Sequence, residues 1–317
     1  MDKTKFFVVP FVLFFVPNLR EKSGIFMQNE NEILRAVSNS PLSVQTLVLF
    51  QISIDKITIV GDLKSETEKY LADELSINPL VTLHSLGSSR FNADIENICH
   101  VEYDKLKNQS ISRRNMRVEF NPNNLNDEQK KMIFDLFVSK MKNVGFSRID
   151  IAFDVKKDLS DFYVMFDTPT KSTNFYGVDG KVETKYFGSR RSDRYIRIYN
   201  KKQQLLDVFE NQIADKDYWR IEFELKHSRT EEWKNCVEDI HILQPDWSTL
   251  DKVDDQMKVY ALINEPNFWG KISRNSKYKY KNMIKNISAI NLGNQIREQF
   301  KAEENRLENE LNFWLGN

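Results

Sequence analysis

The chain is short of several things, and each shortage excludes something. Its 317 residues include two cysteines, Cys99 and Cys236, which cannot build a disulfide framework and stand in no metal-ligand spacing. Of its four histidines, His84, His100, His227 and His241, no two stand as His-aliphatic-His, so no strand carries a paired-histidine metal site. There is no Gly-x-x-x-x-Gly-Lys loop and no Gly-x-Gly-x-x-Gly fingerprint, which excludes the usual nucleotide-phosphate cradles. No Gly-x-Ser-x-Gly elbow of an acyl hydrolase occurs either. Net charge is missing too. The 46 Lys and Arg balance 46 Asp and Glu, which argues against a wholly electrostatic DNA binder and leaves open a local basic surface. The strongest apolar run, Phe6–Pro17, has twelve residues with two prolines, too short to span a bilayer as a helix. No small-residue cleavage site follows it. It reads as an N-terminal extension outside the fold, with Met27 opening a polar segment just beyond.

What is present is aromatic and strand-forming. Twenty-two phenylalanines and eleven tyrosines stand against ten glycines. Ile52–Gly61 is β-rich, Glu66–Leu75 suits a short helix, and Arg117–Asn121 is a strand closed by an Asn-Pro turn. A helix starts near Asn126 or Asp127, both good N-caps. Met132, Ile133, Leu136, Phe137 and Met141 form its stripe, and Gly145 ends it. Ser147–Asp154 alternates as a strand, Phe175–Gly177 and Lys181–Phe187 read as a hairpin, and Tyr218–Lys226 is another strand. From about Ser228 the chain reads as mostly helical. Short connections between strands favour antiparallel pairing. The fold class is therefore α+β: an antiparallel sheet core with helices packed on one side and a helical C-terminal region.

Lys181–Lys202 holds eight Lys or Arg against two acids, with four tyrosines or phenylalanines among them. On its second strand Tyr195, Arg197, Tyr199 and Lys201 share one face. A phenol flanked by cations can attack a phosphodiester, because cations favour the phenolate and hold the phosphate. One triplet recurs: Arg117-Val118-Glu119, Arg148-Ile149-Asp150, Arg220-Ile221-Glu222 and Arg197-Ile198-Tyr199. With the aliphatic residue turned to the core, each arginine and its partner face the other way. If the four strands share a sheet, Glu119, Asp150 and Glu222 gather beside Tyr199, with Asp154 and Glu224 a step along. Such carboxylates suit a hard cation, Mg²⁺ or Mn²⁺. The same triplets also build an ordinary ion-pair ladder, and spacing alone does not separate the two readings.

A second basic stretch, Lys271–Lys285, has six Lys or Arg and no acid, with Tyr278 and Tyr280 between them. Basic residues interleaved with aromatics suit phosphates and bases; a solvated helix face is the alternative. The last helix, Ile296–Leu315, carries Phe300, Leu307, Leu311 and Trp314 at heptad-like spacing, a packing or dimer seam.

The segments at 103–123, 145–154, 175–203, 218–226, 241–247 and 269–281 closely resemble the replication initiators of small staphylococcal and related Gram-positive rolling-circle plasmids, the Rep_trans family. Among them are GFSRIDIAFD, RYIRIYNKKQ, YWRIEFELK and WGKISRNSKYKYK. The resemblance covers roughly residues 50–317. It implies a cytoplasmic, plasmid-encoded enzyme without a membrane partner, which nicks the plasmid's double-strand origin at a hairpin and later rejoins it. The family nucleophile falls on Tyr199, forming a 5′-phosphotyrosyl link and freeing a 3′-OH primer, with Arg197 and Lys201 holding the phosphate. Glu119, Asp150 and Glu222 are the expected ligands of Mg²⁺ or Mn²⁺. Arg190, Arg191, Arg194, Lys271, Arg274, Lys277, Lys279 and Lys281 are expected on the DNA. The resemblance also implies a homodimer and a host superfamily 1 helicase as partner. The corresponding division is 1–45 as a variable extension, 46–265 as a nicking domain and 266–317 as a helical region for origin recognition and dimer packing. A conjugative relaxase of the same broad family and a non-catalytic origin binder are the alternatives.

Overall fold

Alternation of apolar and polar residues over Phe50–Leu63 and Met141–Val155 makes two long strands, β1 and β6, which pair antiparallel at the centre of the molecule. They belong to a computed structural model that describes residues 50–68, 70–87, 90–106, 114–209 and 217–316. The apolar run Phe6–Pro17, Met27 and the expected extension 1–45 lie outside the described residues. The other strands in chain order are β2 (Val81–Gly87), β3 (Arg90–Ile95), β4 (Cys99–Asp104), β5 (Met116–Phe120), β7 (Tyr163–Phe166), β8 (Ser172–Tyr176), β9 (Val182–Phe187), β10 (Arg194–Asn200), β11 (Trp219–Lys226), β12 (Ile240–Pro245) and β13 (Ser288–Asn291). The helices used below are α1 (Leu71–Ser76), α2 (Asp127–Leu136), α3 (Lys201–Phe209), α4 (Val253–Asn264), α5 (Arg274–Asn286) and α6 (Leu292–Leu315).

Ten strands form one sheet in the order β2-β3-β4-β5-β1-β6-β11-β10-β9-β8, and all its pairings are antiparallel. Its apolar face buries Ile57, Ile59, Ile149, Ile151, Phe153, Ile198, Ile221 and Phe223. The stripe on α6 covers that face. Phe300 lies 6.0 Å from Phe153 and Trp314 lies 4.4 Å from Phe120, centroid to centroid. Ile133 of α2 joins the same core. The seam read from the last helix is thus filled within the chain itself. The expected α+β class, with helices on one side of an antiparallel sheet, is what the chain adopts.

A smaller sheet, β13-β12-β7, carries a second apolar cluster of Met165, Leu243, Val259, Leu262, Tyr280 and Ile284. α4 and α5, which lie on either side of the expected boundary at residue 265, share that cluster. Among the described residues no helix is long and apolar enough to cross a membrane.

Local structure departs from the sequence reading at several points, among them β7 and β13, which were not read as strands, and Glu66–Leu75, which is two short helices, Ser65–Glu68 and Leu71–Ser76. The helix capped by Asn126, whose side chain and that of Gln129 bond reciprocally to backbone amides, stops at Leu136 rather than near Gly145. Met141 follows Phe137 at helical spacing, but Met141 and Gly145 pair with Leu63 and Val60 of β1; cross-strand hydrogen bonds win over the helical period. Strands β2, β3 and β4 were not anticipated. Nor was β12, in a region read as helical; it is buried along most of its length, so it lacks the alternation that marks a half-exposed strand. The turn between β9 and β10 starts at Gly188, whose φ of +92° and close approach to the Arg194 carbonyl leave no room for a Cβ.

Candidate active site

The four Arg-aliphatic-acid or tyrosine triplets fall on β5, β6, β11 and β10, all in the large sheet, with β1 between the first two. Register then fixes their neighbours. Thr58 stands opposite Glu119 and Arg148, Asp150 opposite Lys56 and Glu224, Arg197 opposite Glu222, and Tyr199 opposite Arg220. Directly opposed residues share a face, so these side chains converge on the face that the helices leave open. A cavity of about 510 Å³ opens there, lined among others by Asp55, Glu119, Asp150, Arg197, Tyr199, Lys201 and Glu222. The three expected carboxylates and the expected nucleophile therefore stand in one cavity. Lys201 lines it too, although from the first turn of α3; the strand ends at Asn200.

Tyr199 is half-buried, and its hydroxyl lies 3.5 Å from Glu222 Oε2. Burial and the Glu222 charge push the phenol well above its ordinary range; Arg220 and Arg197 pull the other way and lose. This corrects the sequence reading that flanking cations favour the phenolate. They do not prevail in this site, so removing the proton needs a base. Glu222 is placed for that. Burial pushes its carboxyl up to about 7, against the pull of Arg197 and with the Asp150 charge adding to the rise. Lys201 sits 5.8 Å from the Tyr199 ring centroid. Burial and the nearby Arg220 charge lower its pKa.

Every carboxylate in the cavity floor already has a cation. Arg197 pairs with Glu222 and stands 3.6 Å from Asp150. Arg148 bonds both oxygens of Asp150 at 2.7 and 2.6 Å and reaches Glu224 at 2.7 Å. Glu119 is held by Lys56 and Arg117, and those cations outweigh burial to keep it below the usual range. Arg220 bridges Asp154 and Asp55. Asp150, Glu222 and Glu224 all meet Arg197 Nη2, so that in this arrangement a guanidinium stands where their carboxylates converge, and among the described residues no His, Cys, Asp or Glu group is set out as a metal site. The ladder alternative and the site alternative are here the same set of residues. Arg197 keeps its Nε–H buried and without a hydrogen-bond partner.

Sequence reasoning missed four contributors. Asp55 is the extra residue where the β1–β6 register shifts between Ile54 and Lys56, and the bulge brings it to Arg220 at 2.8 Å. An Asp-Lys pair inside the apolar run ISIDKITIVG was the available signal. Lys56 follows it onto Glu119. His100 and Asp94, bonded at 2.5 Å, line the far wall; their strands were not read, so no signal pointed to them.

The expected DNA contacts divide. Arg190 and Arg191 are exposed in the β9–β10 turn. Arg194 is not available: it pairs with Asp239, donates to the Cys236 carbonyl and packs over Phe166 and Phe223. Its place opposite Leu225 puts it on the helix-covered face, which corrects that assignment. On α5, Lys279 pairs with Asp255 and Lys281 caps the carbonyls of Phe166 and Asp167. Lys271, before the helix, and Arg274 are exposed, and Lys277 is half-exposed.

Comparison with known proteins is in keeping with this geometry. A family model for the N-terminal region of RepD-like replication initiation proteins matches residues 56–141. A replication initiation protein of Staphylococcus aureus is 43% identical over 300 residues, covering 93% of this chain and 96% of the relative. Another from the same organism is 41% identical over 299 residues, covering 93% and 95%. A solved rolling circle replication initiator protein from Geobacillus stearothermophilus aligns at 14% identity with a TM-score of 0.39, over 68% of this chain and 97% of that one. With relatives matched at that identity along nearly their whole length, the chain belongs to the replication initiation proteins of rolling-circle plasmids.

Proposed function

We propose that this initiator binds its plasmid's double-strand origin in the cytoplasm and nicks one strand by transesterification on Tyr199. The observation that carries the reading is the Tyr199 hydroxyl beside a Glu222 carboxyl poised near 7, with Arg197 between that acid and the open cavity. The phenol gives its proton to Glu222 as its oxygen attacks phosphorus. The bond from phosphorus to the 3′ oxygen breaks, leaving a 5′-phosphotyrosyl link and a 3′ end that takes a proton from Lys201. Arg197, exchanging Glu222 for the phosphodiester, stabilises the charge that develops on phosphorus. Closure runs the same steps backwards, with Glu222 returning the proton to the phenolate. Each step exchanges one phosphoester for another, so sealing needs no nucleotide triphosphate.

The proposed reaction requires Mg²⁺ or Mn²⁺, which would supply charge neutralisation at the phosphodiester. Adduct formation with either metal and with EDTA tests that requirement. A homodimer and a host superfamily 1 helicase stay part of the proposed cycle. Their test is sedimentation of the protein on origin DNA with and without the helicase. Incubating the protein with origin oligonucleotide and resolving covalent adducts by denaturing electrophoresis tests the core of the proposal. Site-specific binding with no adduct under any metal would make it an origin-binding protein instead.

A further inference from the structure

We propose that the face of β9 and β8 beside Tyr199 is a stacking platform for unpaired bases next to the scissile phosphate, with Phe175 and Tyr186 as the residues that hold them. The inference rests on the Tyr199 reading and adds to it a second site, for bases rather than phosphate. Register puts Tyr199, Thr184 and Phe175 in one row across β10, β9 and β8. Phe175 is therefore about 10 Å from Tyr199, two strand spacings away on the same face. Thr184 between them is small, and a second cavity of about 210 Å³ opens there, sharing Arg197 and Tyr199 with the first and walled by Tyr186.

The aromatics form a ramp along this face. Tyr195 is buried, and Tyr186 stacks on it at 5.7 Å with planes 14° apart. Phe175 meets Tyr186 edge-on at 5.4 Å and is 55% exposed. An exposed phenylalanine on the edge strand of the sheet is not there to fill the core, since the helices cover the other face. The Arg190 and Arg191 turn borders the ramp and supplies phosphate contacts beside the rings. Aromatic surface next to cations, continuous with a phosphate-binding cavity, is the chemistry of single-stranded nucleic acid recognition. Duplex DNA offers no base faces to such rings, so the occupant is strand already unpaired at the nick site.

The test uses Tyr199→Phe protein, which holds the strand without cutting, and a single-stranded origin oligonucleotide carrying 2-aminopurine at successive positions on both sides of the nick. Stacking predicts quenched fluorescence at one or two adjacent positions on one side only. Phe175→Ala should abolish that quench and weaken single-strand binding by about tenfold, with duplex origin binding unchanged. Phe175→Trp should restore it, and Ser172→Ala, on the opposite face of the same strand, should change nothing. Absence of a quench at every position, or a quench indifferent to Phe175→Ala, overturns the platform. Wild-type protein forming an adduct with the same oligonucleotide while showing no Phe175-dependent quench would sink the platform and leave the nucleophile standing. No adduct from wild type would remove both.

Discussion

The Tyr199 phenol and the Glu222 carboxyl are pushed in the same direction, and that defines the chemistry asked of each. A half-buried phenol held far above neutrality is a poor nucleophile until a base takes its proton. A carboxyl near 7 lies close to working pH, where a general base is most effective. Glu222 acts when ionised, so adduct formation should fall below about pH 7, by tenfold per unit, and level off above it. Glu222→Gln cannot accept the proton; it should slow the reaction by about 10² to 10⁴-fold and flatten that pH profile. Rates of adduct formation from pH 5.5 to 9 check both. A slow variant with an unchanged profile would assign the titration to another group.

At the scale of the elements, the site is made by strand register. β6 and β11 set Asp150, Glu222 and Glu224 side by side, and arginines from β6 and β10 neutralise them. Asp150 is 1% exposed. Asp150→Ala takes one carboxylate from Arg148 and Arg197 and leaves them Glu224 and Glu222, which costs about 1–3 kcal/mol. Urea denaturation should show it, alongside any loss of nicking. Trp314→Ala removes the ring that ties α6 to Phe120 and should cost about 3–5 kcal/mol, with no change in oligomeric state, because the α6 seam is filled within the chain. Most of this was legible in the sequence. The Arg-aliphatic-acid triplets gave the faces, since a strand's period is two; the basic strand drew attention to Tyr199, and the family resemblance singled it out as the proposed nucleophile. Two kinds of feature were not legible. Lys201, read onto the Tyr199 face by alternation, lines the cavity from a helix instead, and Asp55 reaches it through a bulge that alternation does not foresee. The pairing of every acid with a cation depends on which strands are neighbours, and β1 entering between β5 and β6 is a property of topology that no local pattern carries.

At the scale of the whole molecule, the residues proposed for duplex binding and those proposed for strand chemistry rest on different cores. Tyr199 belongs to the large sheet, while α5 rests on the small cluster with β7, β12 and α4. Substitutions on α5 should thus separate the two functions. Arg274→Ala and Lys277→Ala should weaken duplex origin binding and reduce its salt dependence by about one charge each. Adduct formation on a short single strand should be unaffected. Lys281→Ala should act through stability instead, since its ammonium holds the carbonyls of Phe166 and Asp167. Fluorescence anisotropy across a salt series distinguishes these outcomes.

The central claim, that Tyr199 carries the broken strand, has one direct measurement. Wild-type protein and Tyr199→Phe are reacted with a short origin oligonucleotide, digested, and the peptide–DNA adduct is weighed by mass spectrometry. The account predicts a wild-type adduct whose mass and fragments place the nucleotide on Tyr199, and none from the variant. An adduct on any other residue, or one that survives Tyr199→Phe, would contradict it.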